Sequence, residues 1–339
     1  MNYTTSNAIS LSCDTGPKRT FLDVRFVFIT KVAVDAVTCP FVILLNILVM
    51  VAVKTKRQLR SKSNLSLACL ATTDLVVGLV VQPLQIVYSS LMLNGETAII
   101  CGGLAKTIMA ISIRCVIASL NHFVLLSGER YLAIKHSFAY GNLVTEVRII
   151  IASGLAWAAA IFLPLEDFWP TNIQFVAKLV VLVMPVLLFP SIVYCNASVY
   201  KEVRRNEKQI IANQVSLEVK KKLLKNKKAF YCTIIVLLTI FLCYCPTTIF
   251  FFIMIFLKDA IPINVGFVTL HLVTLFPLLN SLFNPLIYAV RIRDFRVAFI
   301  QLLSKKTIAQ AEQLERNIFG PKQIGVVATV EQRENRVSP

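Results

Sequence analysis

Five side chains able to hold a cation or exchange hydrogen bonds lie in segments apolar enough to cross a membrane. They are Asp74 in LACLATTDLVVG, Ser119, and Asn280, Asn284 and Tyr288 in the stretch LLNSLFNPLIYAV. An unpaired amide in such surroundings costs roughly 2–7 kcal/mol, and an interior proline such as Pro285 about 3 kcal/mol, so each group must find compensation. Spacing indicates how. Asn280, Asn284 and Tyr288 recur every four residues and form one polar stripe on a helix. Ser119 and Arg130 are eleven residues apart, about 1100° of helical rotation, and share a face to within roughly 20°. Ser112 falls on that face too. Arg114 points about 160° away from Arg130 and reads as a packing or snorkelling arginine. Ionisable groups inside a span are functional candidates by default, and Asp74 needs a partner. Catalysis finds no support: His122, His136 and His271 lie on different spans or ends, without a nucleophile–base set, a phosphate-binding glycine loop or metal-ligand spacing. The chain reads as a non-enzyme with no cofactor.

The elements that must position these groups follow from composition. The 339 residues are 56% hydrophobic and only 16% charged, with a mean hydropathy of +0.71, which is the balance of an integral membrane protein. The net charge of +17 does not point to nucleic acid, because uninterrupted apolar runs of spanning length separate the basic groups. Seven such runs occur, at about 26–53, 64–91, 101–128, 147–165, 174–199, 229–257 and 265–290, each near the roughly 20 residues a crossing helix needs. A β-barrel would show short alternating segments instead. The expected fold is an all-α membrane protein, a seven-transmembrane helix bundle with a short amphipathic eighth helix.

Lysines and arginines crowd the loop at about 200–228 and the segment after span seven, with Arg291, Arg293 and Arg296. The positive-inside rule therefore places the amino terminus outside and the carboxyl terminus in the cytoplasm of a multi-pass plasma-membrane protein. Residues 1–25 form an extracellular tail, 26–303 the bundle with helix eight, and 304–339 a cytoplasmic tail. Asn2 begins a glycosylation sequon on the outer side. Asn196 begins another, but within the fifth span, where it reads as structural. A transporter or channel is the competing class, and it would call for inverted repeats or a pore-lining ring of charge. Neither is visible.

Glu129-Arg130-Tyr131 ends span three and Asn284-Pro285-Leu286-Ile287-Tyr288 closes span seven, with Asn46, Asp74, Trp157 and Pro246 on spans one, two, four and six. Together, in this order, they resemble the rhodopsin-like, class A, G-protein-coupled receptors over about residues 26–303. The resemblance implies an extracellular ligand, a heterotrimeric G protein as cytoplasmic partner, and no nucleic-acid partner. It implies that Asp74, Ser119, Asn280 and Asn284 face one another and hold an allosteric sodium ion in the resting state. It further implies a switch in which Glu129 restrains Arg130 at rest and Tyr131, Tyr244, Pro246, Pro285 and Tyr288 move on activation. The sequence departs from the family at Asn226, where an acid is common, and at Tyr244, where tryptophan is usual.

The resemblance also orients the ligand pocket, expected from Gln82, Gln85, Met109, Ser112, Ile113, Val116, Tyr244, Thr247, Thr248, Phe251, His271 and Thr274. Asp35 and His271 are charged rim residues that could pair. Amine receptors of the family carry an aspartate where Ser112 stands, and opsins a lysine where Leu278 stands, so neither a biogenic amine nor retinal is expected. The family's bridge cysteine at the top of span three is replaced by Ala105, leaving Cys13 and Cys101 as either a disulfide or two free thiols. Helix eight is expected over about 292–303, with Phe295, Phe299, Leu302 and Leu303 on one apolar face and Arg293 and Arg296 reaching anionic headgroups.

Overall fold

The computed structural model describes residues 21–96, 103–136, 138–162, 190–205, 217–257 and 261–319. Helix α1 runs Phe21–Thr55 and α2 runs Lys62–Leu93. They are followed by α3 Ala105–Lys135, the single helical turn Tyr140–Leu143, and α4 Glu146–Phe162. Helix α5 is described over 190–205, and α6 covers Leu217–Phe256 with Pro246 inside it. Helix α7 is Ile263–Val273 continued by Leu275–Arg291, with Thr274 between the halves. Arg293–Ser304 forms α8 and Ile308–Phe319 forms α9. Among the described residues five helices are long and apolar enough to cross a membrane. The expected fifth span falls largely outside the described residues, as do Asn2, Cys13 and Cys101.

Packing follows from where polar groups are spent. Asn46 Nδ2 donates to Val42 O at 2.8 Å and to Ser281 O at 3.1 Å, tying α1 to α7. His122 Nδ1 meets the Ala118 carbonyl at 2.7 Å and must be its donor, so Nε2 accepts from Ser153 Oγ at 2.8 Å and clamps α3 to α4. Trp157 Nε1 donates to Thr72 Oγ1 at 3.3 Å, joining α4 to α2. Below these ties a single apolar core gathers Leu67, Leu70, Phe123, Ile240, Tyr288 and Phe295 from five helices. Large apolar side chains such as Phe41, Ile150 and Leu242 face outward, as lipid contact requires.

Helix α2 contains one π-turn, Val77–Val81, immediately after Asp74. Gly78 within it lets α1 approach closely: a Cβ there would lie 2.9 Å from Ile43 Cγ1 and 3.0 Å from Val42 Cγ1. Cys39 Sγ uses the same approach to reach Gly78 O at 3.2 Å. Gly78→Val should overpack this contact and destabilise the bundle by about 1–3 kcal/mol. A lowered thermal midpoint of the purified protein checks it; an unchanged midpoint would show that α1 can shift freely.

Helix α8 begins and ends one residue later than expected. Phe295 and Phe299 pack inward and Leu302 lies against the same core, but Leu303 is 64% exposed and leaves that face. Arg293 and Arg296 both have a protein partner as well. Helix α9, within the segment read above only as a tail, places Glu315 against them. Arg293 Nε donates to Glu315 Oε2 at 3.1 Å, and Arg296 Nε and Nη2 to Oε1 at 2.9 and 2.7 Å. Arg296 also lies 5.0 Å from the Phe319 ring centroid.

Burial opposes ionisation of Glu315, but the hydrogen bonds and charges of the two arginines outweigh it and lower its pKa. A carboxylate lowered in the folded state contributes stability above its ordinary range near 4.3, and that contribution fades as pH falls through the lowered folded value. The α8–α9 contact should therefore hold at neutral pH and loosen only in acid. Glu315→Gln should weaken it by about 1–3 kcal/mol, read as faster amide exchange over 308–319; unchanged exchange would show that apolar packing alone holds α9.

Candidate functional site

Asp74 and Asn284, two of the four residues expected to face one another, meet inside the bundle, and Ser119 and Asn280 are buried on α3 and α7. Asp74, on α2, is 1% exposed, and Asn280 and Asn284, one turn apart on α7, are equally buried. Asn284 Nδ2 donates to Asp74 Oδ2 at 2.8 Å. Ser281 also lies beside the carboxylate, while Ser119 Oγ, which has Tyr244 as its near neighbour, both polar atoms of the Asn280 amide and Asn284 Oδ1 make no hydrogen bond of good geometry. Native proteins rarely leave so many buried polar atoms without one. Three orphaned oxygens beside a carboxylate form a donor set suited to a hard cation with waters. Tyr244, on α6, stands beside Ser119 and is 9% exposed.

Near the carboxyl-terminal end of α3, Glu129 and Arg130 are close without being hydrogen-bonded. Arg130 Nε is 3.7 Å from Glu129 Oε2, and neither atom has a hydrogen-bond partner. Glu129 Oε1 is instead the acceptor of two hydroxyls, Ser63 Oγ at 2.7 Å and Tyr140 Oη. Burial, together with the bond to Glu129, pushes the Tyr140 phenol up, so it remains a donor. Tyr131 packs beside Val199, Val203 and Ile234, between α5 and α6, and accepts from Lys135 Nζ at 2.8 Å. Tyr288 is 1% exposed, with its ring 5.8 Å from that of Phe295, so α7 and α8 are coupled through it. Pro285 is inside α7 three residues earlier. The side chain of Asn226 lies outside the described residues.

The expected ligand-pocket residues are scattered in role. Ser112 Oγ donates back to Ile108 O at 2.7 Å, and Thr248 Oγ1 to Tyr244 O at 2.9 Å. Thr247 Oγ1 crosses to Val273 O on α7 at 2.7 Å. Ile113 packs toward α4 beside Trp157 and Ala160, Val116 packs against the central core, and the Phe251 ring lies 5.8 Å from Phe250. Gln85 and Met109 are half-buried. Gln82 is fully buried and donates to Thr38 Oγ1 on α1 at 2.8 Å. His271 does not pair with Asp35: its Nδ1 donates to Phe267 O at 2.9 Å, and Nε2 lies 3.5 Å from Tyr88 Oη. Thr274 Oγ1 donates to His271 O at 3.0 Å. Arg114 Nε reaches Ile161 O at 3.5 Å, and Asn196 is buried against Ser127 Oγ at 3.2 Å, so both have structural work.

The sequence matches the pattern of the 7 transmembrane receptor (rhodopsin family) at residues 45–168 and 162–288. The chain belongs to that family. It is a multi-pass membrane receptor and not an enzyme. Among its relatives, the histamine H2 receptor of Rattus norvegicus is 28% identical over 284 residues, 77% of this chain and 75% of the relative. The histamine H2 receptor of Homo sapiens is 27% identical over 298 residues, 81% and 79% of the two chains. The adenosine receptor A3 of Ovis aries is 25% identical over 315 residues, 85% and 93%. The family pattern spans the residues of both the polar seam and the Glu129–Arg130 pair.

Sequence reasoning did not anticipate Tyr140 or Ser63 as partners of Glu129, or Lys31 as a fully buried cation that donates to Thr274 Oγ1 at 3.3 Å. Tyr140 and Ser63 carry no motif of their own and become partners of Glu129 only through the fold. Lys31 had a signal: it stands four residues before Asp35 and seven before Thr38, on one face of α1.

Proposed function

We propose that this receptor transmits the binding of an extracellular ligand to a heterotrimeric G protein, with its amino terminus outside and its carboxyl terminus in the cytoplasm. The observation that carries the reading is the Glu129–Arg130 pair, close at 3.7 Å yet not hydrogen-bonded. A charged group held by so weak a tie, at the cytoplasmic mouth, is ready to exchange its partner for one on a Gα subunit. Glu129 would keep Ser63 and Tyr140 when Arg130 leaves, which lowers the cost of release.

The seam around Asp74 is the second part of the switch. Asp74, Ser119, Asn280 and Asn284 would hold a sodium ion, which supplies a counter-charge to the carboxylate and favours the resting packing. On activation these residues close on one another while Tyr288 turns inward about Pro285.

Leu278, where opsins carry their lysine, is apolar and packs beside Val77, Val81 and Cys115, which supports excluding retinal. The exclusion of a biogenic amine has less behind it. Ser112 offers no counter-ion and is bonded to its own helix, but the likeness to histamine receptors gives that exclusion no support.

The test is cellular. Full-length receptor tagged at both ends should expose the amino-terminal tag only at the surface, and its expression should raise dissociation of at least one Gα class above the untransfected level. Tags in the opposite order would overturn the topology. A silent receptor that stayed silent across amines, nucleosides, amino acids, lipids and peptides would overturn the coupling.

A further inference from the structure

A second buried polar cluster lies in the extracellular half of the bundle, apart from the seam around Asp74. Lys31 and Asp35 on α1 are each 1% exposed. Lys31 Nζ donates to Thr274 Oγ1 on α7 at 3.3 Å. Both oxygens of Asp35 lack a hydrogen-bond donor, although Lys31 is only one helical turn away. Gln82 lies close enough to bear on the Asp35 carboxylate, but its Nε2 donates to Thr38 Oγ1 at 2.8 Å and its Oε1 is unpartnered. Aromatic rings roof the cluster. Tyr88 stacks on His271 with centroids 6.0 Å apart and planes 5° apart, and Phe28 meets both edge-on at 6.1 and 5.0 Å.

A buried carboxylate without a donor is held at a cost of several kcal/mol, so the site is built for something that supplies donors. We propose that Lys31 and Asp35 form the recognition subsite for a small zwitterion of the amino-acid type, its ammonium on Asp35 and its carboxylate on Lys31. The inference rests on the receptor reading above. An amine alone would satisfy Asp35 but set a second cation against Lys31. An acid alone would meet Asp35 with like charge. A dipolar molecule of zero net charge relieves both groups at once, and the faces of Phe28 and Tyr88 add attraction for its ammonium. Asp35 thereby supplies, from α1, the negative charge that Ser112 does not supply from α3. Tyr88 and His271 are 8% and 9% exposed, and a 3.5 Å contact joins their polar tips.

The test measures thermal stabilisation of purified full-length receptor. The probes are L-histidine, histamine and N-acetyl-L-histidine, and the same three forms of leucine, phenylalanine and tryptophan. At least one amino acid should raise the midpoint by about 2 °C or more, while its amine and its N-acetyl form fail at tenfold higher concentration. Asp35→Asn and Lys31→Met should each abolish the shift, and the exchange Lys31→Asp with Asp35→Lys should recover part of it. Stabilisation by the amine as strong as by the amino acid, no stabilisation by any amino acid, or a shift retained in either single variant would overturn the proposal. If a variant does not fold, the comparison of the three probe forms on the wild type decides alone. G-protein activation without ligand, measured in parallel, separates the two readings. Persistence of that activation without any zwitterion effect removes only the subsite. Zwitterion binding to a receptor that activates no G protein under any probe removes only the coupling.

Discussion

Arg130→Ala is expected to lower G-protein activation more than tenfold, a loss of at least about 1.4 kcal/mol in coupling, while surface expression and ligand binding persist. The fold has little reliance on this guanidinium. Its side chain is 17% exposed, its contact with Glu129 is a 3.7 Å approach, and its Nε makes no hydrogen bond. Removing it leaves Glu129 with the hydroxyls of Ser63 and Tyr140. What the variant loses is the positive group that we propose meets the Gα subunit. Dissociation of labelled Gα from βγ, normalised to surface receptor, measures the effect. Activation at the wild-type level would mean that the Glu129–Arg130 pair is a structural ornament of α3.

Asp74→Asn is expected to erase the sensitivity of agonist affinity to sodium. In the wild type, exchanging sodium for N-methylglucamine at constant ionic strength should strengthen agonist binding severalfold, because in the proposed switch sodium would favour the resting packing and an agonist the other, through one shared equilibrium. Asparagine keeps the shape of the side chain and the contact with Asn284 but removes the charge that holds the ion. The variant should bind agonist equally in both salts. A wild type indifferent to sodium, or a variant as sensitive as the wild type, would reduce Asp74, Ser119, Asn280 and Asn284 to a water-filled packing seam.

The polar seam was legible in the sequence because its members are few, expensive in an apolar setting and periodic: Asn280, Asn284 and Tyr288 each stand one turn apart, and Asp74 had no local partner. The helices were legible for the same reason, since long apolar runs bounded by basic residues leave few alternatives. The pocket was not. A face can be read from spacing, but whether Thr247 turns to a ligand or to Val273 O, and whether Ile113 turns inward or to α4, depends on small rotations and on how closely neighbours approach. The α1 cluster was not legible because spacing places Lys31, Asp35 and Thr38 on one face of the helix without showing that this face turns inward. Helix α9 escaped because its 12 residues alternate apolar and charged groups in a segment expected to be a polar tail. Its position depends on one carboxylate, Glu315, finding two arginines that follow α7, and no local pattern reveals such a contact.

The most direct measurement is nucleotide exchange on purified heterotrimers by the purified receptor in lipid nanodiscs, without cells or endogenous receptors. The wild type should accelerate binding of a non-hydrolysable GTP analogue to at least one Gα class, further so when sodium is withdrawn, and Arg130→Ala should return the rate to that of empty nanodiscs. A folded wild type that leaves all Gα classes at their intrinsic rate, or an Arg130→Ala variant that accelerates exchange as well as the wild type, would contradict the account.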